Sequence, residues 1–232
     1  MKILVISDVH GNVVALNKVL ESVPHDVVIF SGDIVDYGPR PAESLEKIRE
    51  VSFKLVRGNH DNAAAFNVDC HCSQKMHALS VETRKYTRKV LNDEQLDFLK
   101  TLPLTEEFEL GGKKFFMVHA SRTDPLFQYL RPGETSKEKF VEEFGEVNAD
   151  FVVYGHTHFP VVLKDVVKGI IINPGSVGQP RDGDPRASCA LIDTVSNDVR
   201  IIRVPYDIDI VAHQIEEAGL PKTLVSILRQ NF

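Results

Sequence analysis

The sequence predicts an α/β fold built on a parallel sheet, and three observations predict it. The first third of the chain alternates short apolar, β-branched runs with amphipathic helical patterns. Two later pairs of runs are joined by turn dipeptides, which adds antiparallel hairpins. Polar motifs follow the ends of several apolar runs, as binding groups do at the carboxyl edge of an open α/β sheet.

The elements follow in chain order. Lys2–Ser7 is apolar and β-branched and reads as a buried parallel strand. Asn12 is a cap for a helix that carries Val13, Leu16, Val19 and Leu20 on one face. Val27–Phe30 is the next strand, Ala42–Glu50 the next helix and Phe53–Val56 the third strand. This β-α-β-α-β rhythm implies right-handed crossovers with helices packed on the sheet. His77–Leu91 and Asp93–Leu102 have apolar residues at helical spacing, and Pro103 stops the second. Glu106–Leu110 and Lys113–Val118 flank Gly111-Gly112, a hairpin signature. A helix over about 135–146 leads to a strand at Phe151–Tyr154, and Val161–Val166 and Ile170–Asn173 read as further strands. Ser188–Asp193 and Asp198–Val204 make a second hairpin about Ser196-Asn197. Both hairpins are expected in a second, more antiparallel half. The tail Asp207–Phe232 holds two helical patterns split at Gly219-Leu220-Pro221. The Gly-, Pro- and Asp-rich stretch Pro174–Pro185 is a long loop, and loops that long usually have a job.

Composition narrows the function classes. At 232 residues the chain suffices for one α/β domain, and 43% hydrophobic with 26% charged residues is ordinary for a globular protein. A formal charge of -6 argues against bulk nucleic-acid binding, which runs on Lys and Arg contacts to phosphate. No apolar run approaches the roughly 20 residues that span a bilayer. The opening MKILVIS runs straight into a polar motif, so it reads as a core strand and not as a signal peptide. The cysteines, Cys70, Cys72 and Cys189, are few and odd in number, which fits reduced thiols and a cytoplasmic location.

Chemistry is carried by five pieces: Asp8-x-His10, Gly32-Asp33-x-x-Asp36, Gly58-Asn59-His60-Asp61, His119 and Gly155-His156-Thr157-His158. Each follows an apolar run, so all fall on one rim of the sheet. The single-residue gap in Asp8-x-His10 and in His156-x-His158 lets two side chains of an extended segment point the same way. The preceding glycines let the backbone turn tightly and pass close to the site. Carboxylate, amide and imidazole donors without thiolates suit manganese, iron, zinc, nickel or cobalt. Enough donors are present for two ions side by side, an arrangement suited to phosphoester hydrolysis.

These motifs, in this order, resemble the calcineurin-like metallophosphoesterase superfamily, whose pattern is D-x-H, G-D-x-x-D, G-N-H-D/E, H and G-H-x-H. The loop from Asn173 to Asp184 and the segment Ala218-Gly219-Leu220-Pro221 are similar to a small bacterial and archaeal phosphodiesterase branch labelled diadenosine-tetraphosphatase-related. The resemblance implies a single metallophosphoesterase domain over 1–232. Its fold is a four-layer α/β/β/α sandwich of two mixed β-sheets flanked by helices. It further implies that Asp8, His10 and His158 hold one metal, that Asn59, His119 and His156 hold the other, and that Asp33 bridges them. The two ions are divalent or trivalent transition metals (Mn, Fe, Zn, Ni or Co), with manganese favoured for activity. The implied reaction is attack by a metal-bridging hydroxide on a phosphodiester or nucleotide-type small molecule. Phosphomonoesterase, phosphoprotein phosphatase and dinucleoside polyphosphate hydrolase are the alternative activities. Relatives such as the retromer subunit keep the fold for protein docking with decayed ligand positions, whereas here every ligand position is present.

Around that core, His60 is the candidate proton donor to the leaving oxygen, with Asp61 beside it to orient the ring and favour its charged form. Asp36 is expected behind the ligands, orienting a ligand histidine or a loop. Arg181 and Arg40 are candidate phosphate contacts, Arg181 the preferred one, and Arg122 lies on the same rim. Cys70-His71-Cys72 fits no standard zinc finger and reads as a loop or helix start near the cleft. The chain is expected to engage a small-molecule phosphoester and no membrane, and an oligomer is compatible with it.

Overall fold

The computed structural model describes residues 1–230; the last two residues of the predicted tail lie outside them. Two mixed five-stranded sheets pack face to face with helices on both outer surfaces. The first sheet has the order β10 (Asp198–Val204), β9 (Ala187–Asp193), β1 (Lys2–Ile6), β2 (Val27–Phe30), β3 (Ser52–Leu55). The second has the order β4 (Thr105–Leu110), β5 (Lys113–Val118), β6 (Phe151–Val153), β8 (Ile170–Asn173), β7 (Val161–Leu163).

Alternation along β1 builds two cores at once. Ile3 and Val5 enter the layer between the sheets with Ile29, Phe115, Met117, Phe151 and Val153. Leu4 and Ile6 face outward onto α1 (Val13–Ser22) and its neighbours, against Leu16, Val19, Leu45 and Ile48. Each such fully buried aliphatic side chain contributes about 1.5–3 kcal/mol relative to exposure. That double burial is why β1 reads as an unbroken apolar run rather than an alternating one. On the second sheet, Phe140 and Phe144 of α6 (Lys137–Phe144) cover Val152, Tyr154 and Ile171. The C-terminal helices α7 (Ile208–Glu217) and α8 (Thr223–Leu228) bury Val211, Ile215, Leu224 and Ile227 with Tyr37 and Met76.

The first parallel pairs are as the rhythm predicts, β1 with β2 and β2 with β3. Asn12 caps α1, its Oδ1 accepting from Ala15 N at 3.0 Å. The predicted helices 42–50, 77–91 and 93–102 are α2 (Pro41–Val51), α4 (Gln74–Val90) and α5 (Asp93–Thr101). The hairpin around Ser196-Asn197 requires a correction. It joins the first sheet, β9 pairing antiparallel with β1 from Lys2↔Asp193 to Val5↔Ala190. Each sheet therefore receives one of the two predicted hairpins, and both are mixed. The apolar stretch 189–192 of β9, buried on both faces, supplies the reason: Cys189 and Leu191 join the outer core, Ala190 and Ile192 the central one. A further helix, α3 (Asn59–Phe66), was not expected, because it begins on the polar site residues themselves. No helix among the described residues is long and apolar enough to cross a membrane.

Candidate metal centre

Every motif residue sits just beyond the carboxyl end of a strand: Asp8 and His10 after β1, Asp33 after β2, Asn59 and His60 after β3, His119 after β5, His156 and His158 after β6. The two facing sheets thereby bring seven donors to one buried place. Asp8, His10 and His158 form one group and Asp33, His119 and His156 another, the ligand atoms of each group lying within 4.8 Å of one another. Asn59 Oδ1 joins the second group, 3.1 Å from both His119 Nε2 and His156 Nδ1. Asp33 Oδ2 lies between the groups, 3.2 Å from His119 Nε2 and 3.8 Å from His10 Nε2. Asp8 Oδ1 is 3.2 Å from His158 Nε2.

The local backbone is not the extended segment that the single-residue gaps suggested. Asp8, His10, Asp33, Asp36, Tyr37, His156 and His158 all have positive φ, between 47° and 66°. Such a conformation costs a non-glycine residue about 1–3 kcal/mol and persists only where its surroundings over-determine it. Here hydrogen bonds hold it. Asp8 N donates to Gly32 O at 2.9 Å, Val9 N to Asp33 O at 2.8 Å and Gly11 N to Ile34 O at 2.8 Å. The 174–185 loop clasps the same turn, Ser176 Oγ and Gly178 N donating to Asp8 O at 2.7 and 3.0 Å. Tight curls, not pleats, therefore aim each pair of side chains inward. Gly58 lets the backbone pass against a carboxylate of the cluster: a Cβ there would stand 2.0 Å from Asp33 Oδ1.

Tautomers follow from the outer partners of the four histidines in the cluster. A carbonyl oxygen only accepts, so the ring nitrogen facing it carries the hydrogen. His10 Nδ1 faces Val35 O at 3.0 Å, His119 Nδ1 faces Ser31 O at 2.8 Å and His158 Nδ1 faces Gln179 O at 2.6 Å. His156 uses its other nitrogen, Nε2, towards Phe127 O at 3.3 Å. In every case the remaining nitrogen faces the centre, and on His10, His156 and His158, which burial keeps neutral, it presents a lone pair. His10 Nε2 and His158 Nε2 thus face each other at 3.2 Å. Asn59 is fixed likewise, its Nδ2 donating to Cys70 O at 2.8 Å so that Oδ1 points in.

Lone pairs of imidazole, amide and carboxylate converging at such distances repel one another unless a cation sits among them. Asp8 Oδ1 is buried without a hydrogen-bond partner, as an acceptor reserved for a metal would be. Burial pushes His10, His156 and His158 well below the usual histidine range, which keeps them neutral and ready to bind. In the bare chain, burial opposes a proton on His119, but Asp33 and Asp8 overcome it and raise His119 to about 9. The cluster calls for positive charge, and a proton is what the chain alone can offer. The donor set fits two cations.

His60 stands at the edge of this centre. Its ring packs edge-on against His10 at 5.1 Å and tilted against Tyr37 at 4.6 Å. The expected partnership with Asp61 is corrected: Asp36 Oδ2 faces His60 Nδ1 at 3.0 Å. Burial pulls His60 down, but Asp33 and the Asp36 contact outweigh it and leave the ring above its ordinary range. Asp61 turns the other way, in the first turn of α3, and accepts from four backbone N–H groups of Asp33, Ile34, Val35 and Gly58. It anchors the Asp33 loop, because a helix start places residue N3 back over its own cap.

The arginines divide. Arg181 lies over the Tyr37 ring, 5.8 Å from its centroid, with Nε and Nη2 donating to Gln179 Oε1. Arg40 pairs at the surface with Glu43 and Glu217 at 3.7 and 3.8 Å, partners that compete with the phosphate contact expected of it. Arg122 donates to Glu143 O and pairs with Glu146. Residues the motifs did not single out also build the site. Gln179 holds both His158 and Arg181. Tyr129 packs on His156 with ring centroids 4.0 Å apart.

Two adjacent cation-binding groups on the shared edge of a double α/β sandwich define a metal-dependent hydrolytic centre. The chain belongs to the calcineurin-like phosphoesterase superfamily, whose domain model matches residues 1–197. It is similar to an uncharacterized protein of Methanocaldococcus jannaschii, with 36% identity covering 96% of this chain and 95% of the relative. Phosphodiesterase YfcE of Escherichia coli strain K12 is 28% identical over 91% of this chain and 96% of its own. Among solved structures, a metallophosphoesterase from Sphaerobacter thermophilus superposes with a TM-score of 0.84 at 34% identity, covering 100% of this chain and 99% of the other. The protein is a phosphoric ester hydrolase with two residue clusters able to hold metal.

Proposed function

We propose that this chain hydrolyses a phosphodiester or nucleotide-type small molecule with the help of two transition-metal ions, manganese favoured. The observation that carries the reading is the set of inward lone pairs, each fixed by a carbonyl behind it. Asp8, His10 and His158 would hold one ion, Asn59, His119 and His156 the other, with Asp33 common to both. When bound, such a pair neutralises charge on phosphoryl oxygens and acidifies water.

The chain's own residues do the rest. The carbonyls behind the histidines keep the ligands in one tautomer and one orientation. His60 serves as the proton donor to the leaving oxygen. Asp36 accepts from Nδ1, which directs Nε2 to that task. Arg181, held by Gln179, contacts a non-bridging phosphate oxygen with its remaining N–H groups. Tyr129 and Tyr37 wall the centre and limit water.

The test is a panel of bis-p-nitrophenyl phosphate, p-nitrophenyl phosphate and a dinucleoside tetraphosphate, run with Mn²⁺-loaded protein. The expected result is fastest turnover of a diester or of the tetraphosphate. Preference for the monoester would make it a phosphomonoesterase, and hydrolysis of none by fully loaded protein would favour a docking scaffold.

A further inference from the structure

The hydrolytic reading leaves Cys70-His71-Cys72 unused. The segment lies in the loop between α3 and α4, and all three cysteines of the chain are free thiols. Ser80 Oγ, in α4, gives its own hydrogen to His77 O at 2.8 Å. It therefore accepts from both neighbouring thiols, Cys70 Sγ and Cys72 Sγ, each at 3.3 Å. Two sulfurs two residues apart converge on one oxygen. His71 between them is left-handed, with φ 51°, which curls the segment so that its flanking side chains can share a side. Cys70 is buried and Cys72 half-buried, so Cys72 is the more accessible of the two residues.

The same loop touches the metal-centre residues at two points. Cys70 O accepts from Asn59 Nδ2 at 2.8 Å and fixes which end of that amide faces inward. The His71 ring packs edge-on against Phe127 at 4.7 Å, and Phe127 O accepts from His156 Nε2. Closing a bond between Cys70 and Cys72 pulls on the backbone that carries the Cys70 carbonyl. Sulfurs resting on a common hydroxyl must come to about 2.05 Å to bond, which turns the backbone that carries the carbonyl.

We propose that Cys70 and Cys72 are an oxidisable dithiol whose closure to a disulfide loosens Asn59 and weakens metal binding at the centre, an inference that rests on the function proposed above. The oxidant is a low-molecular-weight disulfide. Cys72, the more accessible of the two, attacks one of its sulfurs as thiolate, forming a mixed disulfide and expelling one small thiol. Cys70 then attacks Cys72 Sγ, closing the protein disulfide and expelling the second. The protein loses two electrons and two protons, and the small disulfide gains both as two thiols. Oxidation withdraws the hydrogen bond that orients a ligand, a loss that typically costs 10–100-fold in metal affinity.

The test uses full-length protein treated with oxidised glutathione, with and without later reduction by dithiothreitol. Free thiols are counted, the disulfide is mapped by peptide mass, and Mn²⁺ affinity is measured by calorimetry. The expected result is loss of the Cys70 and Cys72 thiols, a Cys70–Cys72 linked peptide, and an affinity about 10–100-fold weaker that dithiothreitol restores. Cys72→Ser, which leaves the Cys70 carbonyl in place, should bind Mn²⁺ like the reduced wild type and be indifferent to oxidised glutathione. Three thiols persisting, glutathione remaining attached without ring closure, or a disulfide that leaves Mn²⁺ affinity unchanged would each overturn the proposal. Reduced wild-type protein that binds no Mn²⁺ would instead strike the proposed function, while the thiol count still reads the dithiol on its own.

Discussion

Asp61→Asn separates an anchor from a catalytic helper. Asp61 Oδ2 accepts from Asp33 N at 2.8 Å and Gly58 N at 3.1 Å. Oδ1 accepts from Ile34 N at 2.8 Å and Val35 N at 3.3 Å. The side chain is fully buried. Asparagine keeps one oxygen and turns an NH₂ towards two N–H donors, so two buried N–H groups lose their acceptor whichever way the amide faces. At about 1–3 kcal/mol for each unsatisfied buried donor, the substitution should cost about 2–6 kcal/mol. Against the roughly 5–15 kcal/mol that holds a typical domain together, that is a large fraction. Urea denaturation of metal-free wild type and variant measures it as a fall in midpoint at unchanged slope. Metal content should fall as well, since the loosened loop carries Asp33. If the variant keeps its stability to within about 1 kcal/mol and its full metal content, and only its pH–rate profile moves, then Asp61 serves His60 and the anchoring argument fails.

His60→Ala should lower kcat by about 10²–10⁴ while metal content stays near wild type. Loss of the metal in that variant would make His60 a structural residue. Asp36→Asn keeps the shape and one oxygen for His60 Nδ1 but gives up the negative charge that favours the protonated ring, and about a tenfold or greater loss of kcat with little change in KM is expected; wild-type turnover would remove Asp36 from the mechanism. Gly58→Ala places a methyl where the carboxylate of Asp33 lies, and metal geometry tolerates only about 0.2 Å. The variant should therefore lose metal by elemental analysis, and full occupancy would contradict the close-approach reading. Arg181→Gln should raise KM for a phosphodiester more than it lowers kcat, and an unchanged KM would place Arg181 outside the substrate's reach.

Much of the fold was legible because burial on both faces leaves an unmistakable mark. The runs Ile3–Ile6, Val27–Phe30 and Phe151–Val153 are apolar throughout, and each lies between two layers. What the runs did not tell was which sheet received β9 and β10, since a hairpin is a local signal and its partner strand is not. Which residues converge was legible from motif order, while the backbone that presents them differs from the extended segments that spacing implies. Residue spacing gives no warning that Asp8 and His156 are left-handed, because hydrogen bonds from distant loops impose it. Asp36 and Asp61 exchanged their expected parts for a related reason. Adjacency suggested Asp61 as the partner of His60, but successive residues on a helix point in different directions, and α3 begins at Asn59. The carbonyls of Ser31, Val35, Phe127 and Gln179 that fix the histidines are backbone atoms and carry no residue signature at all.

The most direct measurement is elemental analysis of the protein after saturation with Mn²⁺ and removal of free metal, for wild type and for Asp33→Asn. Two ions per wild-type chain, and loss from both positions when the shared carboxylate is neutralised, is the expected result. A single ion in the wild type, or two ions retained in the variant, would contradict a pair of cations joined through Asp33.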